Sequence, residues 1–280
     1  MYRIKNQETI GEGLGLLEVE APRLVQKAKA GQFVIVRIAE KGERIPLTIA
    51  DYDKVKGTVT LIFQEVGRTT KRMGLLKKDD TILDLVGPLG EPTEVENYGT
   101  VVCIGGGVGI APIFPIARAL KEAGNRVISI IGARCKDLLF WEDKMAQVST
   151  ELYIATDDGS VGQKGFVTDV LKDIMKKENI DHVWAIGPMV MMKAVAQVTR
   201  SEKIKTVVSL NPIMVDGTGM CGACRVQVGN ETKFACVDGP EFDAHLVDFD
   251  LAMRRLAYYK DEEKRALAQE ECQGGGCGCH

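Results

Sequence analysis

Four residues in one glycine-rich stretch carry the strongest chemical pattern in the chain. Asp216, Cys221, Cys224 and Cys236 fall in the spacing D-x4-C-x2-C-x11-C. Plant-type [2Fe–2S] centres take C-x4-C-x2-C with one more distant Cys, so Asp216 stands in register with the first ligand position. The small residues Gly217, Gly219, Gly222 and Ala223 let backbone N–H groups turn inward to sulfur, and such hydrogen bonds help set a cluster's potential. Two other readings use the same residues. Three thiolates and a carboxylate could close a tetrahedral zinc site, although zinc modules more often show two separated Cys pairs. A glycine-flanked Asp is also a common turn residue, and register alone makes Asp216 a ligand candidate. The spacing favours iron–sulfur over zinc. Of the eight Cys in the 280-residue chain, six lie at or beyond position 221, a clustering that packing does not predict.

A second pattern is the run Gly105-Gly106-Gly107-Val108-Gly109, continued by Ile110, Ala111 and Pro112. It follows an apolar strand and opens a helix. Glycines there let the backbone approach a pyrophosphate, and a helix N-terminus supplies free N–H donors. The run departs from the strict G-x-G-x-x-G fingerprint, and a tight turn without a ligand is the bland alternative. Gly187-Pro188-Met189 begins another helix at another strand end, where nucleotides bind in parallel sheets. Earlier in the chain, Arg44-Ile45-Pro46-Leu47-Thr48 and Val66-Gly67-Arg68-Thr69-Thr70 place an Arg beside a strand and hydroxyls at a turn entering a short helix. Both would suit a dinucleotide's pyrophosphate; a solvated basic edge is the alternative.

These motifs sit on two kinds of element. Residues 1–97 are β-rich, with β-branched and aromatic runs at 31–38 and 57–64 separated by turns such as Lys41-Gly42-Glu43. That spacing predicts an antiparallel barrel or sandwich. Gly87-Pro88-Leu89-Gly90-Glu91-Pro92 marks a domain boundary. Residues 98–210 alternate predicted strands at 101–104, 127–131, 152–155, 182–186 and 204–208 with helices at 112–123, 166–177 and 189–200. Alternation of this kind means βαβ units and a parallel sheet. Residues 211–242 form the small cysteine module. Within 243–280, Leu246, Phe249, Met253 and Leu256 make a helical stripe ahead of a Cys/Gly-rich tail. Cys103 and Cys135 sit in apolar strand-like runs and read as small buried hydrophobes.

Composition narrows the function classes. Lys plus Arg number 36 against 39 Asp plus Glu, and mean hydropathy is −0.03. Such a balance lacks the footprint of a nucleic-acid binder. The apolar stretch 101–117 is broken by four glycines and two prolines, which makes it a poor membrane span. With no signal core behind Met1-Tyr2-Arg3 and cysteines that read as ligands, the expectation is a cytoplasmic protein with no nucleic-acid or membrane partner. The three histidines are dispersed; His182 in a strand and His245 at a helix start suit core or capping roles. No residue reads as a general base for a substrate of the chain's own.

In order along essentially the whole chain, these motifs resemble the ferredoxin–NADP reductase-like family, in the branch of dihydroorotate dehydrogenase electron-transfer subunits and their sulfide dehydrogenase relatives. The resemblance implies an FAD-binding β-barrel, a parallel-sheet NAD(P)-binding α/β domain and a C-terminal [2Fe–2S] module with a terminal helix. It implies Arg44 on an FAD phosphate with Pro46 and Leu47 beside it, and Thr48 near the isoalloxazine. Val66, Gly67, Thr69 and Thr70 would lie under the FAD pyrophosphate. Gly105 to Pro112 would form the nicotinamide-nucleotide turn. Ala133 and Arg134, followed by Asp137-Leu138-Leu139-Phe140, would border the adenosine, with Asp157, Asp158, Gly187, Pro188 and Met189 also touching the nucleotide. The nucleotide reads as NAD(H), with NADP(H) open because Arg134 and Lys136 could meet a 2′-phosphate.

Dihydroorotate dehydrogenase subunits carry a fourth Cys where this chain has Asp216; transhydrogenase-type small subunits of the same family resemble it in having Asp. The implied role is to pass electrons between NAD(H), FAD and the cluster to a larger flavin/iron–sulfur catalytic subunit, with ferredoxin reached through that complex. The alternatives are a dihydroorotate dehydrogenase electron-transfer subunit, a stand-alone reductase and a non-enzymatic zinc-stabilised interaction module. The tail Cys272, Cys277, Cys279 and His280 is left unassigned between metal capture and a solvated end.

Overall fold

A computed structural model describes residues 1–274. In its first part, β1 (Tyr2–Gly11), β2 (Leu14–Glu20), α1 (Pro22–Val25), β3 (Phe33–Arg37), β4 (Ile45–Asp53), β5 (Thr58–Gln64), α2 (Arg68–Gly74), β6 (Thr81–Ile82) and β7 (Asp84–Leu89) follow one another. The seven strands pair antiparallel in the order β6-β1-β2-β5-β4-β3-β7 and curl into a nearly closed barrel. Strand β3 shows how period-2 alternation serves two cores. Val34 and Val36 fill the barrel interior with Leu17, Leu61 and Phe63. Phe33 and Ile35 point outward into a second core that also holds Cys224, Cys236 and Phe242. Each such fully buried side chain stabilises by roughly 1.5–3 kcal/mol, so one strand fastens the cysteine module to the barrel wall.

The second part alternates β8 (Thr100–Gly106), α3 (Ile110–Glu122), β9 (Arg126–Ala133), α4 (Glu142–Val148), β10 (Glu151–Thr156), β11 (Gln163–Lys164), α5 (Val167–Met175), β12 (His182–Ile186), α6 (Met189–Ser201) and β13 (Lys205–Ser209). These strands are parallel in the order β11-β10-β9-β8-β12-β13. From β8 the chain winds one way through β9 and β10, then returns to the other side of β8 with β12. The β8/β12 junction is the topological switch point, where doubly wound sheets open a crevice for ligands. Leu14, Leu16, Ala50 and Ile62 on the barrel's outer face pack with Ile110, Ile113 and Phe114 of α3, which sets this crevice beside the barrel.

The remainder is the hairpin β14 (Arg225–Val228) and β15 (Glu231–Phe234), then β16 (Glu241–Asp243), α7 (Phe249–Leu256) and α8 (Lys260–Gly274). Strand β16 adds antiparallel to β13, and α8 packs against α2. Three sequence expectations need correcting. Cys135 lies beyond the end of β9 and is only half-buried, because the strand stops at Ala133 and the chain turns. Leu246 precedes α7 and is 53% exposed; the helix starts after Asp248, whose carboxylate accepts the Leu251 N–H at 2.8 Å. His245 therefore does not cap that helix, and its Nε2 instead hydrogen-bonds the Thr199 hydroxyl at 3.0 Å. His182 is buried in β12, stacked on Trp184 at 4.0 Å, and desolvation pushes its pKa down to about 4. Cys277, Cys279 and His280 lie outside the described residues, as does the side chain of Cys272. Among the described residues, no helix is long and apolar enough to cross a membrane.

Candidate functional site

The glycine turn occupies the switch point. A Cβ on Gly109 would stand 2.1 Å from the Ile186 carbonyl oxygen, and one on Gly105 2.9 Å from the Ile110 Cα. On Gly106 it would meet the Met191 Sδ at 2.3 Å, and on Gly187 the Gly106 carbonyl oxygen at 3.0 Å. The ends of β8 and β12 thus approach with no space for side chains, and the clash at Gly109 is with backbone. Gly107 adopts φ +55° with open space around it, which keeps the turn low where a ligand's backbone would pass. Val108 is half-buried, while Ala111 and Pro112 are buried in the first turn of α3. Pro188 stands at the N-terminus of α6 and Met189 is buried behind it.

At the same edge, the ends of β9 and β10 are tied together. The Asp157 and Asp158 N–H groups donate to the Ala133 and Arg134 carbonyls, each at 3.2 Å. The Asp158 carboxylate accepts from the Ser160 N–H at 2.9 Å and hydroxyl at 2.7 Å, which holds it below the usual carboxylate range. Ser160 Oγ accepts the Lys136 N–H at 2.8 Å. Ala133, Arg134, Asp157 and Asp158 therefore share one rim with the exposed Arg134 side chain.

On the barrel, Pro46, Leu47 and Thr48 pair across from Ile35, Val34 and Phe33, half-buried on the strand beside the cysteine module. Val66 is exposed. Gly67 caps α2, donating its N–H to Thr70 Oγ1 at 3.0 Å. The buried Thr69 hydroxyl donates to the Glu43 carboxylate. Arg44 contacts the cysteine loop: its Nε donates to the Val215 carbonyl at 2.9 Å and its Nη2 to the Asp216 carbonyl at 3.3 Å.

The cysteine loop lies on the barrel wall. Gly217 (φ +84°) sits so close that a Cβ would be 2.7 Å from Ile35 Cγ1 and 2.9 Å from Leu89 Cδ1. Cys224 and Cys236 are buried with their sulfurs 3.2 Å apart. Burial and the adjoining Cys224 push the Cys236 thiol up to about 12. Cys221 is exposed, and the N–H groups of Ala223 and Asp216 hold its thiol below the ordinary range. The Asp216 carboxylate accepts from the Thr218 hydroxyl at 2.7 Å, the Thr218 N–H at 2.9 Å and the Met220 N–H at 3.2 Å, and stays below the usual carboxylate range. Thiols with backbone N–H donors turned on them are the donor chemistry an iron–sulfur cluster takes. Among the described residues, no group of three or more His, Cys, Asp or Glu side chains is arranged to hold a single metal ion. Thr218 and the reach of Arg44 were missed in the sequence. The D-x-T spacing of an Asx-type turn was the available signal for Thr218.

Comparison with known proteins agrees with this layout. Residues 103–197 match the family model of the oxidoreductase NAD-binding domain, and residues 211–248 that of the iron–sulfur cluster binding domain of dihydroorotate dehydrogenase B. The fold and these two domains define an oxidoreductase subunit of the ferredoxin reductase-like class. The chain is 51% identical over 246 residues to a Thermotoga maritima homologue of the dihydroorotate dehydrogenase B (NAD(+)) electron transfer subunit, covering 88% of this chain and 87% of the relative. It is 49% identical over 293 residues to a Clostridium beijerinckii protein from the adh 3′ region, covering 100% and 99%. The chain belongs to the family of dihydroorotate dehydrogenase B electron transfer subunits and their homologues. A solved structure of an NADH-dependent reduced ferredoxin-NADP oxidoreductase, described in connection with flavin-based electron bifurcation, superimposes with a TM-score of 0.92 at 47% identity over 97% of this chain and 98% of that one.

Proposed function

We propose that the chain passes electrons between NAD(H), FAD and a [2Fe–2S] cluster, and on to a larger flavin/iron–sulfur subunit of a cytoplasmic complex. The observation that carries this reading is the shared wall. Strand β3 lines the barrel with Val34 and Val36 and backs the cysteine loop with Phe33 and Ile35, while the switch-point crevice opens beside the same barrel. Three cofactor sites are thereby adjacent. Asp216 in the first ligand position, with the superposition on the ferredoxin-NADP oxidoreductase chain over 97% of this one, supports that kind of complex over an orotate-forming one.

Bound FAD would supply the conversion between two-electron hydride chemistry and one-electron transfer. The chain's own residues do the positioning. Gly105, Gly106, Gly107 and Gly109 let the pyrophosphate of the nicotinamide nucleotide reach the N-terminus of α3, where free N–H groups and the helix dipole meet its charge. Ala133 and Arg134 would border the adenosine, and Asp157, Asp158, Gly187, Pro188 and Met189 would lie along the nucleotide. Thr48 would lie near the isoalloxazine, with Pro46 and Leu47 beside it, and Val66, Gly67, Thr69 and Thr70 would lie under the FAD pyrophosphate. Cys221, Cys224 and Cys236, the last two with sulfurs 3.2 Å apart, and Asp216 would hold the two-iron cluster.

The test is an anaerobic titration of the purified chain with NADH and with NADPH, followed at the flavin absorption band, and an assay of the co-purified complex. NADH is expected to bleach the band at the lower concentration, and the complex to reduce NADP with reduced ferredoxin. A complex that interconverts dihydroorotate and orotate instead would overturn the choice of partner. A chain whose flavin ignores both nucleotides would overturn the function.

A further inference from the structure

The contacts of Arg44 point to a role at the cysteine loop that its motif does not suggest, and the argument rests on the cofactor reading above. Arg44 enters β4 on the barrel, and its guanidinium spans 171 positions of sequence to donate to Val215. The carbonyls it holds belong to the two peptide units around Asp216, with donor distances of 2.9 Å to Val215 O and 3.3 Å to Asp216 O. A trans peptide points its C=O and N–H in opposite directions. Fixing the Val215 oxygen on the barrel side therefore aims the Asp216 N–H the other way, toward Cys221, whose thiol it shares with the N–H groups of Ala223 and Val215. The guanidinium, one peptide unit and a ligand sulfur form a short hydrogen-bonded relay. A cation at one end polarises the peptide and strengthens the N–H···S contact at the other. The second carbonyl locks the turn at Gly217, which is itself pressed on Ile35 and Leu89. The guanidinium does this with two nitrogens held in a fixed planar fork.

We propose that Arg44 is a positioning residue for the iron–sulfur centre: through the Val215–Asp216 peptide it orients the N–H donor on the Cys221 sulfur and so sets the cluster's reduction potential. The Nε and Nη2 donors of its guanidinium are engaged by the loop. Hydrogen bonds to sulfur stabilise the reduced, more negative cluster, so loss of the relay lowers the potential.

The experiment compares the wild-type holoprotein, shown first to hold FAD and cluster, with Arg44→Met and Arg44→Lys. The readouts are FAD content, the EPR spectrum of the reduced cluster and its midpoint potential by anaerobic redox titration. For Arg44→Met the expectation is full FAD content, altered g-values and a more negative potential. Loss of FAD with an unchanged cluster signal would show a phosphate ligand and overturn the proposal. Arg44→Lys decides the case in which the Met variant assembles neither cofactor. Lysine serves phosphate as a point charge but lacks the fixed fork of Nε and Nη2 donors that sets the geometry of both carbonyls, so the expected result is retained FAD with the shifted cluster signal. A Lys variant like wild type in both respects, or one that loses FAD alone, would overturn the proposal. A wild-type chain lacking flavin or iron would refute the cofactor reading itself, before any variant is compared.

Discussion

Gly109→Ala is the sharpest perturbation of the nucleotide crevice. The new methyl would lie 2.1 Å from the Ile186 carbonyl oxygen, 2.6 Å from its carbon and 2.8 Å from the Gly187 Cα. All three are backbone atoms of the neighbouring strand end, so no rotamer change relieves the clash. Carbon atoms settle at about 3.5 Å or more, and the turn must move from β12 by ~1 Å. Overpacking of this kind costs about 1–3 kcal/mol of stability. A displacement of ~1 Å where two reactants are aligned costs up to about 10²-fold in rate. Gly229→Ala, in the β14–β15 hairpin, is the control: its Cβ meets nothing within 4 Å, but φ is +57°, so the cost is about 1–2 kcal/mol of backbone strain away from the crevice. The assay is stopped-flow reduction of the bound flavin by NADH, with thermal unfolding of each variant alongside. Gly109→Ala should lose far more rate than Gly229→Ala at saturating NADH. Equal rates in the two variants, or wild-type behaviour of Gly109→Ala, would refute the view that side-chain-free approach of β8 and β12 builds the site.

Cys236→Ala should abolish the cluster's visible and EPR signals and leave FAD content unchanged, since the flavin residues lie on the barrel; loss of both together would contradict the division of labour. Asp216→Asn should alter the EPR signal and potential of the cluster with FAD retained, and an unchanged spectrum would remove Asp216 from the ligand set. Glu241 predicts a pH effect on stability. Its carboxyl accepts the Thr93 hydroxyl at 2.6 Å, and burial pushes its pKa from 4.5 up to about 7. The folded state then binds more protons than the unfolded one between pH 4.5 and about 7, so this group's contribution is present at low pH and lost as pH rises through that window, by up to about 3 kcal/mol. His182, depressed from 6.5 to about 4, acts in the opposite sense, its contribution growing as pH rises over that range. Denaturant melts of wild type and Glu241→Gln from pH 4.5 to 8 isolate the term: the variant should lose the decline that wild type carries from Glu241, and parallel curves would refute it.

Much of this architecture is legible where local pattern and tertiary role coincide. Val167, Val170, Leu171 and Ile174 are the buried face of α5, and their spacing alone predicts the helix. The apolar run from Val101 to Ile104 reads as a strand because it is buried on both faces, as parallel strands are. Features that depend on distant partners are not legible. Strand β16 has one apolar residue, Phe242, and exists because the edge of β13 offers it hydrogen bonds. Leu246 extends the apolar spacing of α7 backwards, yet Asp248 is a better cap and the helix begins there. Cys135 follows an apolar run that the chain leaves two residues earlier. The cysteine spacing names its donors, but their support comes from Arg44 and Ile35, far away in sequence, and only the folded barrel brings them together.

The central claim is tested most directly by quantifying flavin, iron and zinc in the anaerobically purified chain and recording its EPR spectrum after addition of NADH. The account predicts about one FAD and about two irons per chain, with a reduced-cluster signal that grows as nicotinamide is oxidised. A colourless, iron-free preparation holding zinc and silent to NADH would contradict it.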